Sequence, residues 1–469
     1  MAPPAADRED VRTKRAGKIS LIISSLLNSG LFSGIIFGWA PLQLLLQDEG
    51  QYGYLCGPDD LKEASGMCPA QASKFASIFA QAAFLVNAVS LFSGMLLDWW
   101  GGRLMSFSAY ICILLGLVAV GISDARTSEG IYDWFVLGYS FLAIGGQMTL
   151  FVVFPTAFEL PEYQTLVFAT NSCLFDGSSV VFQIMSSIHD AFGYTRRDLF
   201  LAFAVVSCPL YIMNIFLWQF SGGPAIQYQN SLAKSPRIQH TPPRAPAART
   251  FSGESTKIKL HTIGDISQKR PTTDLTLLEQ LRTWDFYFIL FYASVGILRA
   301  NLYIGCNEDL LMNLGDNSAS NNRFFSKVFG YILPLGFVFI PAIDLAVESS
   351  MTLALHVTNF LGISVALLML VPYLRVQCIT FLFFAGFRAF LYGVMGAFIG
   401  ETFGLRTLGR ITGCVFTSGS IINLIQVPIL EWTNYRFQGD TGPLAVLMIS
   451  LGMIILVSVP KRQRNGIVE

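Results

Sequence analysis

The chain has 469 residues, 53% hydrophobic and only 13% charged, with a mean hydropathy of +0.52, whereas an ordinary soluble domain is about 25% charged. With 31 Lys and Arg against 31 Asp and Glu, there is too little charge to solvate several globular domains and no basic excess to suit a nucleic-acid partner. A membrane-spanning helix takes about 20 apolar residues, so the length accommodates about twelve spans and little else.

In chain order, a polar tail over 1–18 holds Arg8, Arg12, Lys14, Arg15 and Lys18. It lacks the short apolar core and small-residue site of a cleaved signal peptide. Apolar runs over 19–45, 75–97, 104–122, 132–157, 165–188 and 198–220 predict six spans, a first bundle over 19–220. Residues 221–281 are rich in Ser, Pro, Lys and Arg and read as a disordered cytosolic linker. Runs over 284–305, 326–346, 350–372, 375–400, 410–430 and 443–460 predict a second bundle over 282–460, followed by a tail over 461–469. The fold class expected is an all-α polytopic membrane protein.

Lys and Arg concentrate in the N-terminal tail, the linker and the C-terminal tail, which predicts cytoplasmic termini. Cys56 and Cys68 then fall in the first outer loop, where they either close a disulfide or remain two thiols. Cys112, Cys173, Cys208, Cys378 and Cys414 lie in apolar runs and act as small hydrophobes. Trp39, Trp134, Trp218, Trp284 and Trp432 fall near span ends, suiting the interfacial belt. No phosphate-cradling loop or His-Glu-x-x-His string occurs, so neither an ATP-driven pump nor a metalloenzyme is expected, and no cofactor or metal.

The halves echo each other. The fifth span reads Cys173-Leu-Phe175-Asp-Gly177-Ser-Ser-Val-Val-Phe-Gln183 and the eleventh Cys414-Val-Phe416-Thr-Ser-Gly419-Ser-Ile-Ile-Asn-Leu-Ile-Gln426. Paired six-helix repeats with a midplane site between them are a common transporter plan. Charge at membrane depth is costly, about 2.5 to 3.5 kcal/mol on insertion scales, and therefore marks candidate sites. Asp176 and Arg388 fall near the midplane from opposite directions, and Arg299 lies in the outer part of span 7. Asp176 and Arg388 either hold the halves together or receive the two ends of a zwitterion. Asn28, Gln147, Asn171 and Gln426 either line a cavity or bond between helices. Gly30, Gly34, Gly38, Gly145, Gly146, Gly393 and Gly396 serve helix bending or, for most of them, close packing.

At the end of the second span stands Gly94-Met-Leu-Leu-Asp98-Trp-Trp-Gly101-Gly102-Arg103. It resembles the Gly-x-x-x-Asp-x-x-Gly-x-Arg signature of the major facilitator superfamily, and Gly94, Asp98, Gly101 and Arg103 are read as a latch for one access state. Asp344 takes the corresponding place in the second half without the glycines and arginine. Further strings resemble the solute carrier 43 branch of system-L-type amino-acid transporters and their nucleobase-carrying relative. They are Phe32-Ser-Gly34-Ile-Ile-Phe37-Gly38-Trp39, Leu55-Cys56-Gly57-Pro58-Asp59, Phe175-Asp176-Gly-Ser178-Ser179, Leu302-Tyr303-Ile304-Gly305, Arg388-Ala-Phe390-Leu391-Tyr392-Gly393 and Gln426-Val-Pro428. The resemblance implies the major facilitator fold, two six-helix bundles, and sodium-independent facilitated movement of large neutral amino acids. It adds Tyr392 to the substrate-binding candidates. A nucleobase carrier and a non-transporting nutrient sensor are the alternatives. The expected setting is a monomer in the lipid bilayer of the plasma membrane or a vacuolar or other internal membrane, with a small molecule as partner.

Overall fold

The computed structural model describes residues 5–57, 69–124, 133–221, 272–314, 319–426, 428–429, 433 and 440–459. Cys68, Trp432 and residues 222–271 of the expected linker over 221–281 lie outside the described residues; its last stretch is ordered rather than disordered, with a 3₁₀ turn Thr272–Asp274 and a short helix Leu277–Leu281 capped by Thr276 and Glu279.

Apolar runs in lipid must satisfy their backbone groups internally, and helices do so. Helix α1 (Ala5–Asn28) runs through a π turn and a 3₁₀ turn into α2 (Trp39–Asp48). The irregular stretch lies against the fifth span, where side chains at Gly34 and Gly38 would overlap the Phe175 and Ser179 carbonyls. Helices α3 (Pro69–Ala88) and α4 (Ser90–Ile122) include an apolar stretch, Ser77–Ile122, of 46 residues. That is about 70 Å of helix at 1.5 Å per residue, twice a bilayer core. The chain turns back at Gly101, whose φ of 77° and ψ of 175° suit only glycine.

Helices α5 (Trp134–Thr156), α6 (Gln164–Gly177), α7 (Val180–Phe192) and α8 (Arg196–Ser221) complete the first half, α6 and α7 being one interrupted crossing. The second half has α9 (Trp284–Leu314), α10 (Ala319–Ile332), a 3₁₀ stretch Leu333–Phe339, α11 (Ile340–Ser349) and α12 (Met351–Met369). Helices α13 (Gln377–Phe403), α14 (Leu408–Asn423) and α15 (Gly442–Ser458) follow. Among the described residues, nine helical stretches are long and apolar enough to cross a membrane. One of them holds two crossings, and the shorter α14 and α15 complete the expected twelve.

Polarity is inside out relative to a soluble protein. Val205, Phe360 and Val457 are exposed, as lipid contact requires, while polar groups pair in the interior. Ser106 Oγ donates to Asn214 Oδ1 at 2.9 Å, and Asn214 Nδ2 donates to Ser25 Oγ at 2.9 Å, binding α4, α8 and α1. Two tryptophans depart from the interfacial belt. Trp39 is buried against Phe75, Phe79 and Tyr139, and Trp218 fills the notch left at Gly102. Trp134 and Trp284 are exposed, as the belt requires.

At the end of the first half where α2 stops, Arg196 Nε donates to Glu49 Oε2 at 2.9 Å, and Tyr52 Oη donates to Asp133 at 2.9 Å. Burial, reinforced by the Asp133 carboxylate, holds the Tyr52 phenol well above its usual range. Cys56 is disulfide-bonded. Cys112, Cys173, Cys208, Cys378 and Cys414 are thiols.

Candidate functional site

A cavity of about 360 Å³ lies between the halves, walled by α3, α5 and α6 on one side and α9, α13 and α14 on the other. Its surface is mainly aromatic and aliphatic. Phe37, Phe79 and Phe175 face it from the first half and Tyr392 and Phe416 from the second. Tyr392 and Phe416 are stacked, with centroids 6.2 Å apart and planes 19° from parallel. Phe175 and Phe416 hold matching places in the two echoed strings, so the internal repeat converges on this cavity.

Asp176 on α6 and Arg388 on α13 pair across the halves. Arg388 Nε donates to Asp176 Oδ2 at 2.9 Å and Nη2 to Oδ1 at 2.5 Å, a two-pronged match that uses both carboxylate oxygens. Both side chains are buried, at 7% and 5% exposure. The Arg388 guanidinium carbon lies 5.5 Å from the Tyr392 ring centroid. Arg388 lines the cavity, and its Nη1 makes no hydrogen bond with a described residue. The site therefore holds a charge pair with no net charge.

One end of the cavity is sealed. Asp98 on α4 accepts hydrogen bonds from the backbone N–H of Gly409 (3.1 Å) and Arg410 (3.0 Å) and from Arg410 Nε (2.8 Å). This carboxylate caps the N-terminus of α14, where exposed N–H groups and the helix dipole favour negative charge. Gly94 packs backbone to backbone on Gly409, and a Cβ there would overlap the Gly409 carbonyl. Farther along, Thr417 Oγ1 accepts from Leu91 N at 3.0 Å and donates to Asn87 O at 3.1 Å. A second seam joins α6 to the Leu333–Phe339 stretch and α11. Both seams lie toward the end where the chain reverses at Gly101, Ser350 and Gly404. On the other side the cavity extends past Phe79 and Ile304.

The latch differs from the sequence expectation in one respect. Arg103 is exposed and makes no ion pair among the described residues; the arginine on Asp98 is Arg410, from the opposite half. Asp344 on α11 is partly exposed, with no ion pair among the described residues, so it builds no matching latch.

Of the substrate candidates, Arg388, Gln147 and Tyr392 line the cavity, together with Gln426. The other four do not, Asp176 being held behind Arg388 by its two hydrogen bonds. Arg299 is fully buried within the second half, donating to Asn359 Oδ1 at 2.8 Å and standing 5.4 Å from the Phe387 ring centroid. Asn171 accepts from Ser29 Oγ at 2.6 Å and donates to Leu150 O at 3.2 Å, pinning α6 to its neighbours. Asn28 is buried within the first half. Helical rotation turns these three side chains into the bundles. Arg299→Met is accordingly expected to leave the substrate KM within about twofold of wild type, which uptake kinetics will check. Sequence reasoning missed Asn87, Asn301 and Asn423 as lining residues; for Asn423 the signal was an amide inside the echoed string of span 11. Asp48, His189 and Asp190, whose ligand-type atoms lie within 4.8 Å of one another, do not line the cavity.

No protein-family model matches the chain. Among curated proteins it is similar to Protein FMP42 of Saccharomyces cerevisiae, 26% identical, with 92% of this chain and 91% of the relative covered. The bovine (Bos taurus) equilibrative nucleobase transporter 1 is 22% identical, with 94% of each covered. The human (Homo sapiens) large neutral amino acids transporter small subunit 3 is 20% identical over 92% of this chain and 90% of that one. Among solved structures, the major facilitator proton:xylose symporter XylE, bound to 6-bromo-6-deoxy-D-glucose, matches with a TM-score of 0.60. It is 13% identical, over 94% of this chain and 95% of that one. The fold is that of the major facilitator superfamily, as the sequence strings implied.

Proposed function

We propose that this protein is a secondary transporter that carries a small solute of zero net charge by alternating access, with neutral amino acids as the leading class. The observation that carries the reading is the cavity shared by both halves, sealed at one end where Asp98 of α4 caps α14, and in which the charge of Arg388 is already balanced by Asp176. A fixed unbalanced charge would favour an ionic cargo; a balanced pair suits a zwitterion or an uncharged molecule. Both carboxylate oxygens of Asp176 are engaged by Arg388, so no free carboxylate is offered at that point as a proton carrier, which supports uniport. The similarity to the human amino-acid transporter supports the same class.

A purine nucleobase is the second reading. It is favoured by the stacked Tyr392 and Phe416 rings at the cavity wall, a surface suited to a planar ring, and by the similarity to the bovine nucleobase transporter. In this proposal the protein works as a monomer with both termini in the cytosol, so the Asp98 seam closes the cytosolic side, and Cys56 pairs with Cys68 outside. The plasma membrane and an internal membrane both suit it. Proteoliposomes holding the purified protein are expected to take up labelled leucine, phenylalanine or adenine with saturable counterflow. Uptake of none of the three above protein-free vesicles overturns the transport reading, and binding without counterflow makes the protein a sensor.

A further inference from the structure

Gln147 on α5 and Asn423 at the end of α14 line the cavity, and each has a buried side-chain oxygen, Oε1 and Oδ1, without a hydrogen-bond partner among the described residues. Gln147 is 1% exposed and Asn423 4%. Their orientation is fixed by their neighbours. Gln147 Nε2 donates to Ser90 Oγ at 2.7 Å, and Ser90 Oγ in turn donates to Val86 O at 3.1 Å. Asn423 Nδ2 donates to Gly419 O at 2.7 Å and Ser294 O at 3.4 Å, both carbonyl acceptors. Flipping the Asn423 amide would set its oxygen against two carbonyls, and flipping Gln147 would draw the Ser90 hydrogen away from Val86 O. The oxygens are thus left bare by the hydrogen-bond network, one from each half.

A desolvated acceptor without a donor is a standing cost, and buried polar atoms in native proteins nearly always find partners. We propose that Gln147 Oε1 and Asn423 Oδ1 are the specificity-determining acceptors of the carrier, reading N–H groups on the solute. The carried class is then a solute whose nitrogen bears at least two N–H bonds, the ammonium of an α-amino acid or the exocyclic amine of a nucleobase. Arg388 Nη1, which makes no hydrogen bond with a described residue, meets the acceptor end of the same solute. Bare amide oxygens repel a carboxylate, so the nitrogen end turns toward Gln147 and Asn423 and the acceptor end toward Arg388. Because the two oxygens belong to different halves, a solute that bonds both joins the walls that move against each other. This assignment rests on the transport reading above and deepens it.

The test is competition against counterflow of the labelled parent by two methylation ladders. One runs leucine, N-methylleucine and N,N-dimethylleucine; the other runs adenine, N6-methyladenine and N6,N6-dimethyladenine. On the ladder whose parent is carried, inhibition is expected to weaken about five- to tenfold for each N–H removed. For the amino-acid arm α-methylleucine, which adds the bulk but keeps every N–H, remains a competitor. Gln147→Met and Asn423→Leu, each purified as a monodisperse protein, weaken the parent and flatten the ladder. A carried parent with a flat wild-type ladder overturns this assignment and leaves transport standing, and no variant is needed to see it. A ladder that stays steep in both variants also overturns it. If neither parent is carried, the transport reading itself fails.

Discussion

Arg388→Ala is expected to destabilise the purified protein severely, by about 3–5 kcal/mol, because it leaves Asp176 as an uncompensated buried charge. The pair is held by two hydrogen bonds at 2.9 and 2.5 Å and both residues are buried, so little water reaches the orphaned carboxylate. Asp176→Asn is expected to be milder, since the amide still offers an oxygen to the guanidinium. Removing both charges, as Asp176→Asn with Arg388→Gln, should recover much of the lost stability, because a neutral pair carries no desolvation penalty of that size. Thermal unfolding in detergent reads the stability, and counterflow in proteoliposomes reads function. The two readouts separate the alternatives left open by the sequence. A pair that only ties the halves together regains counterflow in the double variant, whereas a pair that also meets substrate recovers stability without it. Equal unfolding midpoints for wild type and Arg388→Ala would falsify the buried-pair account.

The second large effect is expected at the seam between the halves. Asp98→Ala removes an acceptor that serves Gly409 N, Arg410 N and Arg410 Nε. Hydrogen bonds to a charged group contribute about 1.5–3 kcal/mol each. Losing the equivalent of one shifts the balance between sealed and opened states about ten- to hundredfold. Gly94→Val should act in the same direction by another route, since its side chain would push into the Gly409 carbonyl. Spin labels at positions 103 and 406, both exposed near the seam, should report one short distance in wild type and an added longer population in either variant. The labelling background has the free cysteines replaced. An unchanged distance distribution in both variants would show that the seam is not what holds this state. Asp98→Asn should fall between wild type and alanine, because it keeps the acceptor oxygen and loses the charge.

The fold was largely legible because lipid imposes simple rules. A run of about 20 apolar residues has one satisfactory conformation in hydrocarbon, so the spans follow from hydropathy, and the Gly94 to Arg103 string shows where the second and third meet. The breaks were less legible. The irregular turns between α1 and α2 arise where small residues meet the Phe175 and Ser179 carbonyls, a contact between distant positions. Trp39 and Trp218 read as interfacial because depth along the chain is visible in sequence while rotation about the helix axis is not.

The site divides along the same line. Depth alone nominated Asp176, Arg388 and Arg299, the intramembrane charges being informative because they are rare. The sequence by itself determined the membrane setting, the twelve crossings, the repeat and the short set of polar residues at membrane depth, since each of these depends only on local composition and length. Only the tertiary structure decided that Asp176 and Arg388 face each other, that Arg299 turns into its own bundle, that Asp98 engages Arg410 rather than Arg103, and that Asn423 belongs to the cavity wall. Those facts depend on the rotation of each helix and the approach of one half to the other. Packing across hundreds of residues sets both, and no local stretch of sequence encodes them.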